Sequence, residues 1–190
     1  MDRLRRISRI LSVGLLILAA APLHAREPEA RLNNLTVTNT RDDLLLYLSV
    51  EGAFREKIKK AILSGAPATF SFFIQLHKGT DVWANQKIAD LKVTHTIKYD
   101  NLKKEFAVKR SWQSREVLVT RSFEEAQKSM TQIDSLKIVS LSALEKGTQY
   151  QIRAKAELSK LTLPLNLHYI FFFVALWDFE TDWQSVDFIY

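Results

Sequence analysis

The stretch WDFETDW, Trp177 to Trp183, sets three carboxylates, Asp178, Glu180 and Asp182, at every second position between two tryptophans. Oxygen ligands at alternate positions are how a calcium loop begins, and they make these acids the chain's metal alternative. A calcium loop also needs a glycine at its sharp turn and a distal bidentate glutamate, and neither follows here. If extended, the segment puts Trp177, Phe179, Thr181 and Trp183 on one side and the acids on the other, which suits a strand clamped by aromatic packing. The expectation is therefore no metal, with calcium on Asp178, Glu180 and Asp182 as the alternative.

Histidine is the cheapest route to catalysis or to a transition metal. His24 lies in the N-terminal apolar region, and His77, His95 and His168 fall on three separate strand-like segments with no HxH or HExxH spacing. His95 sits in the apolar phase of its segment, which suits a hydrogen-bonded core residue better than a ligand. There is no GxSxG elbow, no glycine-rich phosphate loop and no cysteine nucleophile. No catalytic residue, cofactor or enzymatic activity is expected.

Charge is distributed unevenly. Nine Lys or Arg lie between Lys87 and Arg121 (Lys87, Lys92, Lys98, Lys103, Lys104, Lys109, Arg110, Arg115 and Arg121), whereas no Lys or Arg follows Lys160. Alternating lysines are the solvated faces of strands in the plain interpretation. In the functional one they form a basic surface for an anionic lipid headgroup, an acidic partner, or the chain's own acidic end. The last of these predicts that the acids of 178 to 182 face Lys or Arg of the middle strands within one molecule. Nucleic acid is not expected as a partner, because the aromatic residues nearby lack stacking-motif spacing.

Strands must position these groups. Leu44, Leu46, Leu48 and Val50 alternate with other residues, as do Phe70, Phe72, Ile74 and Leu76, then Leu91, Val93, Ile97 and Tyr99, and then Tyr150, Ile152, Ala154, Ala156 and Leu158. Period two with one apolar and one wet face is the signature of antiparallel strands. Two segments break the rhythm. Phe54, Ile58, Ala61 and Ile62 have helical spacing, ended by Gly65 as C-terminal cap and by Pro67. Ser122 and Glu125 stand in capping-box register ahead of a stripe of Phe123, Ala126, Met130 and Ile133. Turns are expected at Asp100-Asn101 and Lys146-Gly147. The apolar run His168 to Trp177 reads as a strand buried on both faces. The fold class is mainly β with two short helices, a single-domain antiparallel β-sandwich or curved sheet of about eight strands.

The chain opens with Arg3, Arg5, Arg6 and Arg9, an apolar run from Ile10 to Ala21, and Ala25. That is the layout of a secretory signal peptide over residues 1 to 25, its apolar run shorter than the ~20 residues of a membrane-crossing helix. Removing its four Arg and one Asp lowers the formal charge from +6 to +3. Residues 26 to 33 then read as a flexible arm and 34 to 190 as one β-rich domain without disulfides, which suits a bacterial periplasm. No transmembrane segment is expected after cleavage.

The segments AILSGAPATFSFFIQL, VWANQKIADLKVTHTIKYDNLKKEFAV, SFEEAQ and LPLNLHYIFFFVALWDFETDW occur in this order along a stretch of roughly Asn34 to Trp183. Together they resemble the bacterial family known as domain of unknown function 4390. The resemblance implies an exported or N-terminally anchored protein whose gene, in some proteobacteria, lies near that of a sensor histidine kinase. It carries over no catalytic residue, and only Gly65, Pro67, Tyr99, Asp100, Trp177 and Trp183 as fold-defining positions. Gln184 stands where the family often has an aromatic residue. The function expected is a non-catalytic binding or adaptor domain of the cell envelope with an envelope protein as partner, linked to an envelope sensor system. The alternative is an outer-membrane-associated lipid or lipopolysaccharide binder.

Overall fold

Alternation decides which side of each strand meets the core, and the computed structural model shows the expected phase in the four alternating segments around Leu46, Ile74, Val93 and Ala154. It describes residues 29–79, 86–113, 116–159 and 179–190. Nine strands are present among them: β1 (Arg31–Asn39), β2 (Asp43–Glu51), β3 (Ala68–Lys78), β4 (Gln86–Asp100), β5 (Glu105–Arg110), β6 (Val117–Thr120), β7 (Gln132–Ser140), β8 (Gln149–Ser159) and β9 (Gln184–Ile189). They form two antiparallel sheets, a three-stranded one in the order β1-β2-β7 and a six-stranded one in the order β6-β5-β4-β3-β8-β9. The two described sheets do not close into a barrel. The mainly β, two-helix architecture read from the sequence is the one observed.

One core lies between the sheets. Leu44, Leu46, Leu48 and Val50 of β2 face Phe70, Phe72, Ile74 and Leu76 of β3 and Tyr150, Ile152, Ala154 and Ala156 of β8 as members of a single buried cluster. Each fully buried Leu, Ile or Phe side chain contributes ~1.5 to 3 kcal/mol relative to exposure, which is how a chain without disulfides holds together. The expected arm does not stay loose to its end. β1 begins at Arg31 because Leu32 is buried opposite Val50, and its carbonyl accepts a bond from Gln184 Nε2 (2.8 Å).

Both helices form where the 3.6-residue spacing placed them, with shifted ends. Helix α1 (Glu56–Leu63) buries Ile58, Ala61 and Ile62. Arg55 is its extended N-cap, leaving Phe54 ahead of the helix, where its ring still packs on Phe70 and Phe123. At the other end Gly65 takes φ +94, its N–H donates to Ile62 O and that of Ala66 to Ala61 O. This is a Schellman close, and Pro67 prevents any continuation. Helix α2 (Phe123–Thr131) is capped by Ser122, whose Oγ accepts from Glu125 N (3.2 Å). The reciprocal half of the capping box is absent, since Glu125 Oε2 accepts from Thr120 Oγ1 instead (2.5 Å). Backbone torsions turn extended at Gln132, so Ile133, expected in the helical stripe, is buried as a β7 residue. Among the described residues no helix is long and apolar enough to cross a membrane. The apolar run 168 to 177 lies outside the described residues.

Candidate functional site

The histidine that most invited chemistry is fully enclosed. His95 lies on the inner face of β4 with no exposed surface. Trp112 Nε1 donates to its Nε2 at 3.0 Å, and indole nitrogen can only donate, so Nε2 is the acceptor. The proton must then reside on Nδ1, which donates to the Met130 carbonyl at 3.0 Å. That carbonyl belongs to the last turn of α2, where the helix offers no partner of its own. Burial, with a smaller push from the nearby Arg110 guanidinium, holds the His95 pKa down at about 4. A neutral, doubly bonded imidazole wedged on Phe72 at 4.8 Å joins sheet to helix and has no free nitrogen with which to move a proton. His77, half-buried on the outer face of β3, approaches Gln75 Oε1 at 3.4 Å. His168 lies outside the described residues.

Neither histidine reaches the cavity of about 500 Å3 lined by Arg41, Asp42, Ser140, Leu141, Ser142, Leu144, Lys146 and Tyr190. Among the described residues no cluster of three His, Asp or Glu could hold a metal ion.

The outer face of the six-stranded sheet is different in kind. Phe73 points away from the core, between Lys92 of β4 and Lys155 of β8, its register partners. Lys92 Nζ stands 4.9 Å and Lys155 Nζ 5.3 Å from its ring centre. Lys155 also stands 5.4 Å from the ring of Trp183, over which the Arg153 guanidinium lies at 5.3 Å. Three cations and two aromatic rings thus share one surface. Such pairs hold long side chains in place along aromatic faces, and the Lys155 side chain is only 18 % exposed here.

The acidic motif closes this surface from one side. Phe179 is buried with its ring edge-on to Phe70 at 4.9 Å, Thr181 is buried, and Glu180 and Asp182 are exposed, so the expected alternation holds from Phe179 to Asp182 but not at Trp183, which is exposed and lies with Arg153 and Lys155 instead of packing beside Phe179 and Thr181. The segment pairs with β8: Leu158 N donates to Phe179 O, and Thr181 N to Ala156 O. Thr181 Oγ1 accepts from Ala156 N (3.0 Å), so its hydroxyl fills the place of a backbone acceptor where the ladder is interrupted before β9. Glu180 binds Lys155 Nζ at 2.5 Å. The acid therefore meets a cation of β8, not one of the middle strands, because β3 separates β8 from β4, β5 and β6. Of the calcium alternative, Glu180 is held by a lysine, Asp182 is exposed, and Asp178 lies outside the described residues, as does Trp177.

A family profile matches residues 27–187, a span that contains both helices, this surface and every strand except the last two residues of β9. The chain belongs to the family described as Domain of unknown function (DUF4390). No curated protein and no solved structure matches it. The family positions read from the sequence have clear local work. Gly65 ends α1 at φ +94, a backbone conformation that L side chains rarely adopt, and a Cβ added there would come to 3.0 Å from Asn101 Nδ2 of the β4–β5 turn, which would have to shift. Half-buried Pro67 leads into β3, and the Tyr99 ring packs on Phe106 at 4.6 Å. Asp100 Oδ1 accepts from the N–H groups of Leu102 and Lys103, which hold its carboxyl below the usual carboxylate range. Trp183 carries Arg153 and Lys155.

Most of the basic middle is the solvated face of strands: Lys87 pairs with Asp90, Arg110 with Asp134 and Arg121 with Glu105, while Lys98 and Lys109 are exposed. Arg115 lies outside the described residues. The residue that sequence reasoning passed over is Phe73. Its signal was available, since it occupies the polar phase of β3 among Thr69, Ser71, Gln75 and His77, on the face turned away from the core between the sheets.

Proposed function

We propose that this chain is an exported, non-catalytic binding or adaptor domain of the bacterial cell envelope, which presents the outer face of its six-stranded sheet to an envelope protein linked to a sensor system. The observation that carries the reading is the cation and aromatic surface of Phe73, Lys92, Arg153, Lys155 and Trp183. Aromatic residues and arginine are the side chains that most often dominate protein recognition energetics. The arginine-rich, apolar and small-residue layout of residues 1 to 25 supports export. The alternative of a lipid or lipopolysaccharide carrier would need room between the sheets, and the described interior is filled by side chains such as Phe70, Phe72, Leu46 and Ile152.

A photoreactive amino acid placed at Trp183 in living cells tests the reading. One envelope protein should crosslink, be confirmed by reciprocal purification, and disappear when Arg153→Glu and Lys155→Glu are combined. Recovery of abundant bystanders only, or a crosslink indifferent to those charge reversals, would count against it.

A further inference from the structure

At the end of the six-stranded sheet where β4 turns into β5, a leucine stands almost entirely in solvent. Leu102 is 95 % exposed, and Asn101, Lys103 and Lys104 beside it are exposed too. The turn is not loose. Asp100 Oδ1 accepts from Leu102 N (2.9 Å) and Lys103 N (3.0 Å), Asp100 O accepts from Lys104 N (2.8 Å), and Lys104 takes φ +57 to complete it. Asn101 in turn rests against Gly65, whose loop places Leu63, 39 % exposed, and exposed Lys60 nearby in the chain.

The charges around the apex are one-sided. Lys98, Lys103 and Lys104 outnumber the acids: none of the three forms a close ion pair with a described residue, the Asp100 carboxylate accepts from the turn's own N–H groups while lying within electrostatic reach of Lys103 and Lys98, and Glu105 is engaged by Arg121. The result is a rigid, convex tip with one apolar side chain at its apex and a collar of ammonium groups. A protein partner would need a shelf or pocket complementary to the tip, and a projecting single leucine offers little area for one. A fluid anionic surface needs neither, since lysines settle among headgroups while the apolar side chain enters the acyl boundary.

We propose that the β4–β5 tip, with Leu102 at its apex and Lys98, Lys103 and Lys104 around it, docks this domain onto an anionic phospholipid surface. The proposal goes beyond the binding-domain reading and stands whether or not the outer face carrying Phe73 recognises a protein.

Because the chain has no cysteine, Leu102→Cys in the full chain can be labelled uniquely with a polarity-sensitive fluorophore. Ile189→Cys provides the control, as residue 189 is 75 % exposed at the opposite end of the same sheet. Vesicles of phosphatidylglycerol and phosphatidylethanolamine should shift the emission of the Leu102 label to the blue. They should leave the Ile189 label unchanged, vesicles of phosphatidylcholine alone should shift neither, and high salt should reverse the shift. Adding Lys103→Glu and Lys104→Glu should weaken vesicle binding at least about 25-fold, roughly fivefold for each lysine lost near an anionic surface. In the unlabelled chain Leu102→Ser should lower flotation with the same vesicles about tenfold. The N-terminal apolar run is common to every variant, so the comparison reads the tip alone. No shift at Leu102, an equal shift at Ile189, equal binding to phosphatidylcholine, or indifference to the lysine reversals overturns the proposal.

Discussion

Phe72 and Phe73 are neighbours on β3, yet each meets nitrogen in a different medium. Phe72 faces the core and touches the imidazole of His95, while Phe73 faces outward beneath the ammonium groups of Lys92 and Lys155. On the inside, loss of water holds the base neutral and two fixed hydrogen bonds set its tautomer. On the outside, the ammonium groups lie against aromatic faces and, for Lys155, against the Glu180 carboxylate. The difference teaches where to look for function in this fold. A group that has surrendered its charge and both its hydrogen bonds to the core contributes stability, and a group that keeps its charge at the surface remains available for recognition.

The largest expected break in that comparison comes from truncating each ring. Phe72→Ala should cost about 3 to 5 kcal/mol, as a fully enclosed aromatic leaves a cavity. Phe73→Ala should cost only about 1 to 2 kcal/mol, through partial burial and two surface cation–π contacts. Urea denaturation at unchanged slope measures both. Equal costs would mean that the outer ring is as much core as the inner one.

Acid should act next, and only on the inner side. His95 has a folded pKa of about 4 against 6.5 for the free side chain, so between those values the unfolded chain binds the proton that the folded one refuses. The stability associated with neutral His95 is therefore present above pH 6.5 and is lost progressively as pH falls through about 4, amounting to about 3 kcal/mol when complete. Protonation at Nε2 would also set an N–H against the Trp112 N–H. His95→Leu should flatten the slope of stability against pH in this window. At neutral pH it should cost about 2 kcal/mol, because the Met130 carbonyl and Trp112 Nε1 lose their partner. A pH series of urea midpoints on both chains checks this, and an unchanged slope in the variant would assign the acid sensitivity elsewhere.

Much of this contrast could be read before any coordinates. The period-two phase of Phe70, Phe72, Ile74 and Leu76 identified the inner face, and Gly65 with Pro67 marked the end of α1, since both signals are local. His95 was legible as a core residue from its apolar phase, but its partners were not: Trp112, 17 residues away, is brought beside it by the pairing of β4 with β5, and Met130, 35 residues away, by the packing of α2 against the sheet. The partner of Glu180 was misread for the same reason. Net charge along the chain pointed to the middle strands, whereas sheet order places the segment beside β8. Phe73 and Leu102 were legible in principle, each being an apolar residue in a polar context, a strand phase in one case and a lysine-flanked turn in the other. Such exceptions to pattern are where recognition sites are most readable, because packing gives them no reason to exist.

The smallest expected effect is the most discriminating. Glu180 holds Lys155 at 2.5 Å, but its side chain is 62 % exposed, so the pair contributes little to folding. Glu180→Gln should change stability by less than about 1 kcal/mol. Lys155 would still lie between the rings of Phe73 and Trp183, now without a neutralising carboxylate, and the outer face would gain one positive charge. If that face recognises an acidic partner, the variant should crosslink from position 183 more strongly than the parent, and the gain should vanish in high salt. A matched loss of crosslinking would instead make the Lys155 and Glu180 pair part of the recognised surface. In contrast, substitution at His95 should alter crosslinking only in proportion to the fraction unfolded, because the inner cluster acts through stability alone.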